Sequence, residues 1–305
     1  MRQTGVLIMC YGSPASLEHL EAFYTDIRRG RPPTHEQLAD LAARYQAIGG
    51  VSPLSARTEA QVSGLQKALD QRHPGSFLVF SGAKHSSPTI EQSVHSMAEA
   101  GLGKAVGLVL APHYSRLSVG EYVERATSAA RLSGLELTCI ESWHLERGFI
   151  ELLADRLAHA WSRIDPEKQG RAATVFTAHS LPARILDDDD PYPRQLGQTA
   201  SAVADLSGVE RWQVAWQSAG RTGEAWLGPD VKEAIADLAR QGAKAVVVCP
   251  AGFTADHLEV LYDIDIDAKG FADGLGLDLL RTDSLNDDAR FMEVLAGLVS
   301  ATCAA

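Results

Sequence analysis

Short apolar runs alternate with longer stretches of helical period along the whole chain, and this alternation restricts the fold more than any other property of the sequence. The apolar runs lie at 5–10, 77–81, 106–111 and 135–140 in the first half, and at 173–177, 213–216, 245–249 and 277–280 in the second. Between them, segments 55–71, 89–100, 119–132, 148–163, 193–206 and 229–241 carry helical spacing. Parallel strands need long crossovers, usually helices, so the order predicts parallel sheets covered by helices. Runs that are apolar at every position predict strands buried on both faces. Four strands per half predicts an α/β protein of two units, 1–144 and 145–305. A last helix at 287–299 is free to pack across onto the first unit. Local echoes support a duplication. Lys84-His85-Ser86-Ser87-Pro88 and Ala178-His179-Ser180-Leu181-Pro182 both follow a strand and place His-Ser before a Pro at an expected helix start.

A length of 305 residues suits two ordinary domains. The net charge of -11 argues against nucleic acid as a partner, because phosphate binding needs a basic face. An anionic substrate must therefore meet a local group of cations. Cys10, Cys139, Cys249 and Cys303 are far apart and form no CxxC, which disfavours a disulfide framework or zinc knuckle and suits a reducing compartment. No apolar run approaches bilayer length, and the run at 5–10 is too short for a signal-peptide core. A cytoplasmic protein with no integral membrane association is expected. After the first strand, Tyr11-Gly12-Ser13-Pro14-Ala15 contains neither GxGxxG nor GxxxxGK[ST], which disfavours nucleotide chemistry. No GxSxG elbow occurs.

Ligands of open parallel sheets bind beyond the carboxyl ends of the strands, often in a cleft between domains. The residues met there are Tyr11, His85, His113, His179, Gln217 and the His257–Glu259 pair. Taken singly, His85, His113 and His257 read as caps or satisfied polar groups. His179 leaves its strand abruptly, and neutral imidazole is a common ligand for Fe, Co, Ni and Zn. Tyr11 is either a cleft-edge aromatic or an oxygen donor reaching a metal from the opposite side.

The stretch 257–267 reads as one helix in which Glu259, Asp263 and Asp267 recur every fourth residue. That spacing stacks three carboxylates in one row, where like charges repel. Such a row suits a divalent cation; the other reading is a solvated acidic face. A preceding buried-strand run and a His at its head favour the metal. Ile27-Arg28-Arg29-Gly30-Arg31-Pro32-Pro33 reads as a basic loop. Arg44-Tyr45 and Gly49-Gly50-Val51-Ser52-Pro53 follow. Arg forks bind carboxylates bidentately, so a substrate with several carboxylates is one reading and a solvated basic loop the other.

Together these motifs resemble the ferrochelatase family, and within it the branch that inserts iron into coproporphyrin III. The resemblance rests on Tyr11-Gly12-Ser13-Pro14, Ile27-Arg28-Arg29-Gly30-Arg31, Arg44-Tyr45-Gln46-Ala47-Ile48-Gly49-Gly50-Val51-Ser52-Pro53-Leu54, Ala111-Pro112-His113-Tyr114-Ser115, Ala178-His179-Ser180-Leu181-Pro182, Trp216-Gln217-Ser218, Trp226-Leu227-Gly228-Pro229-Asp230 and Ala255-Asp256-His257-Leu258-Glu259-Val260-Leu261-Tyr262-Asp263. It implies two Rossmann-like, chelatase-type domains with a porphyrin cleft between them. It implies that His179 and Glu259 bind incoming Fe²⁺ and assist proton removal from the pyrroles, while Tyr11 contacts the metal from the other face. Arg28, Arg44, Tyr45, Ser52 and Tyr122 match positions that hold the macrocycle and its propionates. Glu259, Asp263 and Asp267 match a row that carries a second, hydrated divalent ion such as Mg²⁺ in some relatives. The family usually ends that row in Glu, and Asp267 is one methylene shorter.

The branch follows from Tyr11, where protoporphyrin-using relatives usually have Met, and from the Arg segment, which suits four propionates. The resemblance implies no organic cofactor, with Fe²⁺ as a substrate. No [2Fe–2S] cluster is expected, since only Cys303 lies near the C-terminus. The expected partners are coproporphyrin III and Fe²⁺, for a monomer that touches neighbouring haem-pathway enzymes transiently. Alternatives are a ferrochelatase acting on protoporphyrin IX, a chelatase inserting Co²⁺ or Fe²⁺ into sirohydrochlorin, and a non-catalytic porphyrin or haem carrier.

Overall fold

The structure, a computed structural model, describes residues 3–220 and 223–304. Its elements run β1 (Thr4–Cys10), α1 (Leu20–Ile27), α2 (His35–Ala47), α3 (Leu54–Arg72), β2 (Phe77–Ala83), α4 (Ile90–Glu99), β3 (Lys104–Val109), α5 (Val119–Ser133), β4 (Glu136–Ile140), α6 (Arg147–Ser162), α7 (Pro166–Gln169), β5 (Ala172–His179), α8 (Tyr192–Ser207), β6 (Trp212–Gln217), α9 (Val231–Arg240), β7 (Ala245–Cys249), α10 (Leu258–Leu261), α11 (Lys269–Gly274), β8 (Asp278–Arg281) and α12 (Ala289–Ala304). Each of the eight apolar runs is a strand, and all neighbouring strands are parallel. Two four-stranded sheets result, ordered β2-β1-β3-β4 and β6-β5-β7-β8, so one plan is used twice.

Burial sorts the strands. β1, β3, β5 and β7 are buried over almost their whole length. β4 and β8 are only partly covered. The expectation of burial on both faces therefore holds for the inner strands, whereas β2, β4, β6 and β8 are sheet edges with one side nearer solvent.

Three apolar clusters hold the layers together. Leu7 and Met9 meet Ile90, Val94 and Ala126 on the outer face of the first sheet. Val175 and Val246 meet Ile235 and Ile264 on the outer face of the second. The largest cluster joins the inner faces: Ile8 and Leu108 of one sheet and Phe176 and Val247 of the other share a core with Phe149 of α6 and Phe291 of α12. α12 packs against α3 and α6 and touches β3 and β4. The C-terminal helix thus lies against the first half of the chain.

Two segments differ from the sequence reading. The basic segment around Arg28 is irregular as expected, but it lies between α1 and α2, two helices that the sequence reading did not include. α2 has a full capping box, in which Thr34 Oγ1 accepts from Gln37 N and Gln37 Oε1 accepts from Thr34 N. Of its thirteen residues only Tyr45 is buried, so it lacks the apolar stripe that marks a helix in sequence. The chain after Pro182 makes a 3₁₀ turn, Ala183–Leu186, and α8 begins only at Tyr192. After Pro88, by contrast, α4 starts promptly behind the Thr89 cap.

Close approach of β5 and the end of β7 sets the position of His179. Gly252 N donates to Thr177 O at 3.0 Å. A Cβ on Gly252 would lie 2.9 Å from Ala178 Cα, against backbone that cannot yield without moving the next residue, His179. Gly252→Ala is expected to lower the unfolding free energy by about 1–3 kcal/mol. The check is a lower urea midpoint at unchanged slope.

Candidate active site

A cavity of about 550 Å³ opens where the carboxyl ends of both sheets converge. β1 lies between β2 and β3, and β5 lies between β6 and β7. In each sheet the chain passes from this strand to its neighbour on one side and then crosses back to the other side, which makes the ends of β1 and β5 the switch points where ligands bind. Tyr11 directly follows β1 and His179 is the last residue of β5. Both line the cavity.

His179 Nδ1 lies 3.4 Å from Glu259 Oε2, and His257 Nε2 is 3.4 Å from the same oxygen. The pair sits on one wall, side by side. The separation is long for a charge-assisted hydrogen bond, which is about 2.7–2.9 Å. Burial opposes charge on both, but their mutual attraction outweighs it. The His179 pKa is raised, with Asp263 adding to the attraction, and the Glu259 carboxyl is held far below the usual range. Backbone tethers fix them: Tyr192 OH donates to His179 O at 3.0 Å, and Gln217 Nε2 donates to Glu259 O at 3.0 Å.

The carboxylate row is not one α-helix. α10 ends at Leu261, and Asp263–Ala268 forms a π-helical turn in which Asp267 N donates to Tyr262 O, five residues back, at 2.9 Å. Four residues of α-helix overshoot a full turn by about 40°. Four residues of a π turn fall short of one. The wide turn therefore cancels the drift that would spread the row around the helix.

The three carboxylates meet different partners. Glu259 faces His179. Asp263 accepts from Ser218 Oγ and lies 3.8 Å from Arg44 Nη1. Burial pushes its pKa up to about 6, against the opposing pull of Ser218. Asp267 pairs with Lys232 Nζ at 2.7 Å. Among the described residues, no three His, Cys, Asp or Glu side chains converge tightly enough to hold a metal ion unaided.

The facing wall comes from the first sheet. The Tyr11 ring meets His85 edge-on at 4.7 Å between centroids, and His85 Nδ1 is 2.7 Å from Asp26 Oδ2. Burial and then the Glu259 charge raise the Tyr11 pKa, so its phenol keeps its proton. Tyr122 stands beside it under Lys84 Nζ, 5.3 Å from the ring centroid.

Tyr11, Tyr122, His179 and Glu259 thus surround the cavity, whereas Arg28, Arg44, Tyr45 and Ser52 lie outside its wall. Arg28 Nε donates to Arg31 O at 3.2 Å, and its guanidinium packs on Tyr24. Arg29 lines the cavity in its place. Tyr45 and Ser52 are buried, and Ser52 Oγ accepts from Leu54 N at 3.3 Å. His113 is buried, with Nε2 2.9 Å from Thr199 Oγ1, and burial pushes its pKa down to about 3. Thr199 donates its own proton to His144 O, so His113 Nε2 is the donor to Thr199.

Cavity residues that sequence reasoning passed over include Lys84, Glu121, Arg184, Tyr192 and Glu224, whereas Arg29 belongs to the basic segment it singled out. Lys84 had a usable signal, since it directly follows β2 and precedes His85.

A sequence profile of the ferrochelatase family matches residues 3–303. The chain belongs to the ferrochelatase family. Membership makes it a metal chelatase, a lyase whose substrates are a porphyrin and iron. Among ferrochelatases, the coproporphyrin III ferrochelatase of Anoxybacillus flavithermus is 45% identical over 298 residues, covering 97% of this chain and 95% of the relative. The ferrochelatase of Herpetosiphon aurantiacus is 42% identical over 301 residues, covering 98% of each. The sirohydrochlorin chelatase of Bacillus subtilis subspecies spizizenii, solved in complex with cobalt, superposes with a TM-score of 0.58 at 11% identity, covering 98% of this chain and 95% of that one. That likeness is one of fold, a pair of parallel sheets flanked by helices. No helix among the described residues of this ferrochelatase is long and apolar enough to cross a membrane.

Asp263 gives the site a stability signature. Its pKa rises from 3.8 to about 6, so between those values the folded protein holds a proton that the unfolded chain has released. Stability therefore falls as pH rises through that window. Above it, the ionised carboxylate costs the fold on the order of 1–3 kcal/mol. Asp263→Asn is expected to raise the urea midpoint at about pH 8 and to leave it unchanged at about pH 3, below both values. An equal gain at both would show that the cost is not one of ionisation.

Proposed function

We propose that this ferrochelatase inserts Fe²⁺ into coproporphyrin III, giving Fe-coproporphyrin III in haem biosynthesis. The observation that carries the reading is the His179–Glu259 pair, set 3.4 Å apart in a cavity wall with Tyr11 on the facing wall. The choice of porphyrin is supported by the 45% identical relative named coproporphyrin III ferrochelatase. It is supported too by Arg28, Arg29, Arg31 and Arg44 along the segment bordering the cavity. Coproporphyrin carries four propionates against two in protoporphyrin, and each needs a cationic or hydrogen-bonding partner. Arg28, Arg44, Tyr45 and Ser52 belong to the reading as groups that meet the propionates of the bound macrocycle.

Metal insertion needs two pyrrole protons removed and Fe²⁺ stripped of water. In the resting pair the raised His179 pKa favours imidazolium, which serves as the counter-ion of Glu259. Fe²⁺ arriving at Glu259 takes over that role, and the attraction that held the His179 proton is lost. Neutral His179 is then a ligand for the incoming metal or an acceptor for a pyrrole proton. A cleft that holds the macrocycle bent exposes its nitrogen lone pairs and so favours the transition-state shape. Protonated Tyr11 offers its phenol oxygen from the far face.

Mg²⁺ at Asp263 and Asp267 is part of the same reading. Burial works against ionised Asp263, which makes its carboxylate a donor that a cation would relieve. Asp267 would have to exchange Lys232 for the ion. The reading includes a monomeric, cytoplasmic enzyme with no organic cofactor and no [2Fe–2S] cluster.

The test is anaerobic incubation of Fe²⁺ with coproporphyrin III, protoporphyrin IX or sirohydrochlorin, followed by absorption. The wild type is expected to metallate coproporphyrin III fastest. His179→Ala and Glu259→Gln are each expected to lower turnover about a hundredfold or more. Near wild-type turnover in either variant would remove that residue from its role, and no acceleration by the wild type would leave a carrier.

A further inference from the structure

The wall facing His179 carries a second group of charges, in which two cations share one carboxylate. Lys84 projects from the end of β2, with its side chain only 14% exposed. Its Nζ pairs with Glu121 Oε2 above the Tyr122 ring. The other oxygen of Glu121 lies 3.5 Å from Arg29 Nη2. All four residues line the cavity. Of the other charges nearby, Arg125 forks onto Glu91 at 2.7 and 2.8 Å. Asp26 meets His85, whose pKa is lowered by burial, so Asp26 keeps its negative charge without pairing with Lys84 or Arg29. Lys84 and Arg29 pair directly with the same carboxylate, Glu121.

A largely buried ammonium is costly without a counter-ion. Glu121 supplies it, from the first turn of α5. Arg125 Nη1 donates to Lys84 O at 2.8 Å, holding the backbone of Lys84 while its side chain changes partner. Arg29 sits at φ 56° in the turn after α1, and its side chain is 87% exposed, so it can follow Glu121 outward.

We propose that Glu121 is a resident stand-in for a substrate carboxylate: it holds Lys84 and Arg29 until substrate binds, and one carboxylate of the bound porphyrin displaces it from Lys84. Glu121 then sets how much affinity that carboxylate contributes. This rests on the porphyrin reading above. The exchange makes or breaks no covalent bond, and Glu121 stays within reach of Arg29 at the cavity mouth.

The test is a fluorescence titration of coproporphyrin III with the full-length protein. Glu121→Gln is expected to bind about tenfold more tightly than wild type, the order of one ion pair no longer contested. The gain is expected to shrink at about 1 M salt, where the screening length is about 3 Å. It is expected to vanish in a Lys84→Met background, because the cation being contested is gone. Glu124→Gln, which removes an exposed charge from the same helix, is the control and is expected to leave affinity unchanged. Glu121→Ala provides a second variant, with the residue a helix accepts best. Wild type that binds coproporphyrin III while both Glu121 variants bind equally or more weakly overturns the stand-in role alone. So does tightening that persists without Lys84. Wild type that does not bind coproporphyrin III overturns the porphyrin reading itself.

Discussion

A parallel strand covered on both faces has nowhere to display a functional side chain except at its end. That constraint organises the molecule. β1, β3, β5 and β7 are buried almost throughout. Their carboxyl ends, and the chain just beyond them, are where Tyr11, His113, His179 and Glu259 can reach a ligand. Because both sheets use one strand order and share a core through α6 and α12, these ends converge on one cavity. The apolar layers provide the stability, and the ends of the inner strands provide the chemistry.

The cavity then faces an electrostatic problem on each wall, and the two solutions differ. On the second-sheet wall, imidazole and carboxylate compensate one another. On the first-sheet wall, Lys84 and Arg29 share the Glu121 carboxylate. A substrate with a metal-accepting centre and an anionic rim matches that division. The acidic net charge of the whole chain says nothing about it, since the local balance is set by five or six side chains.

Much of this was legible in sequence, and the gaps have physical causes. The strands were visible because burial on both faces demands consecutive apolar residues, and His179 and Glu259 followed from the rule about strand ends. α2 was not visible, because a helix that buries only Tyr45 needs no apolar stripe. The exchange of Arg28 for Arg29 at the cavity wall turns on Arg29 adopting φ 56°, which non-glycine residues seldom do and no local pattern announces. The pairing of Lys84 with Glu121 joins residues from two separate elements, so only the folded chain brings it about.

The π turn at 263–268 also governs what changes of length the chain can accept. It stores one residue more than an α-helix would use. The widened turn absorbs that residue locally, so the chain beyond it keeps the angular phase of the helix before it. Ile264 and Ala268, both fully buried, stay packed on the outer face of the second sheet while Asp267 stays on its row. A further residue inserted in the flanking α-helical turns has no such reserve and would rotate everything beyond it by about 100°. The tolerance of this segment for changes of length is confined to the one residue its turn already holds.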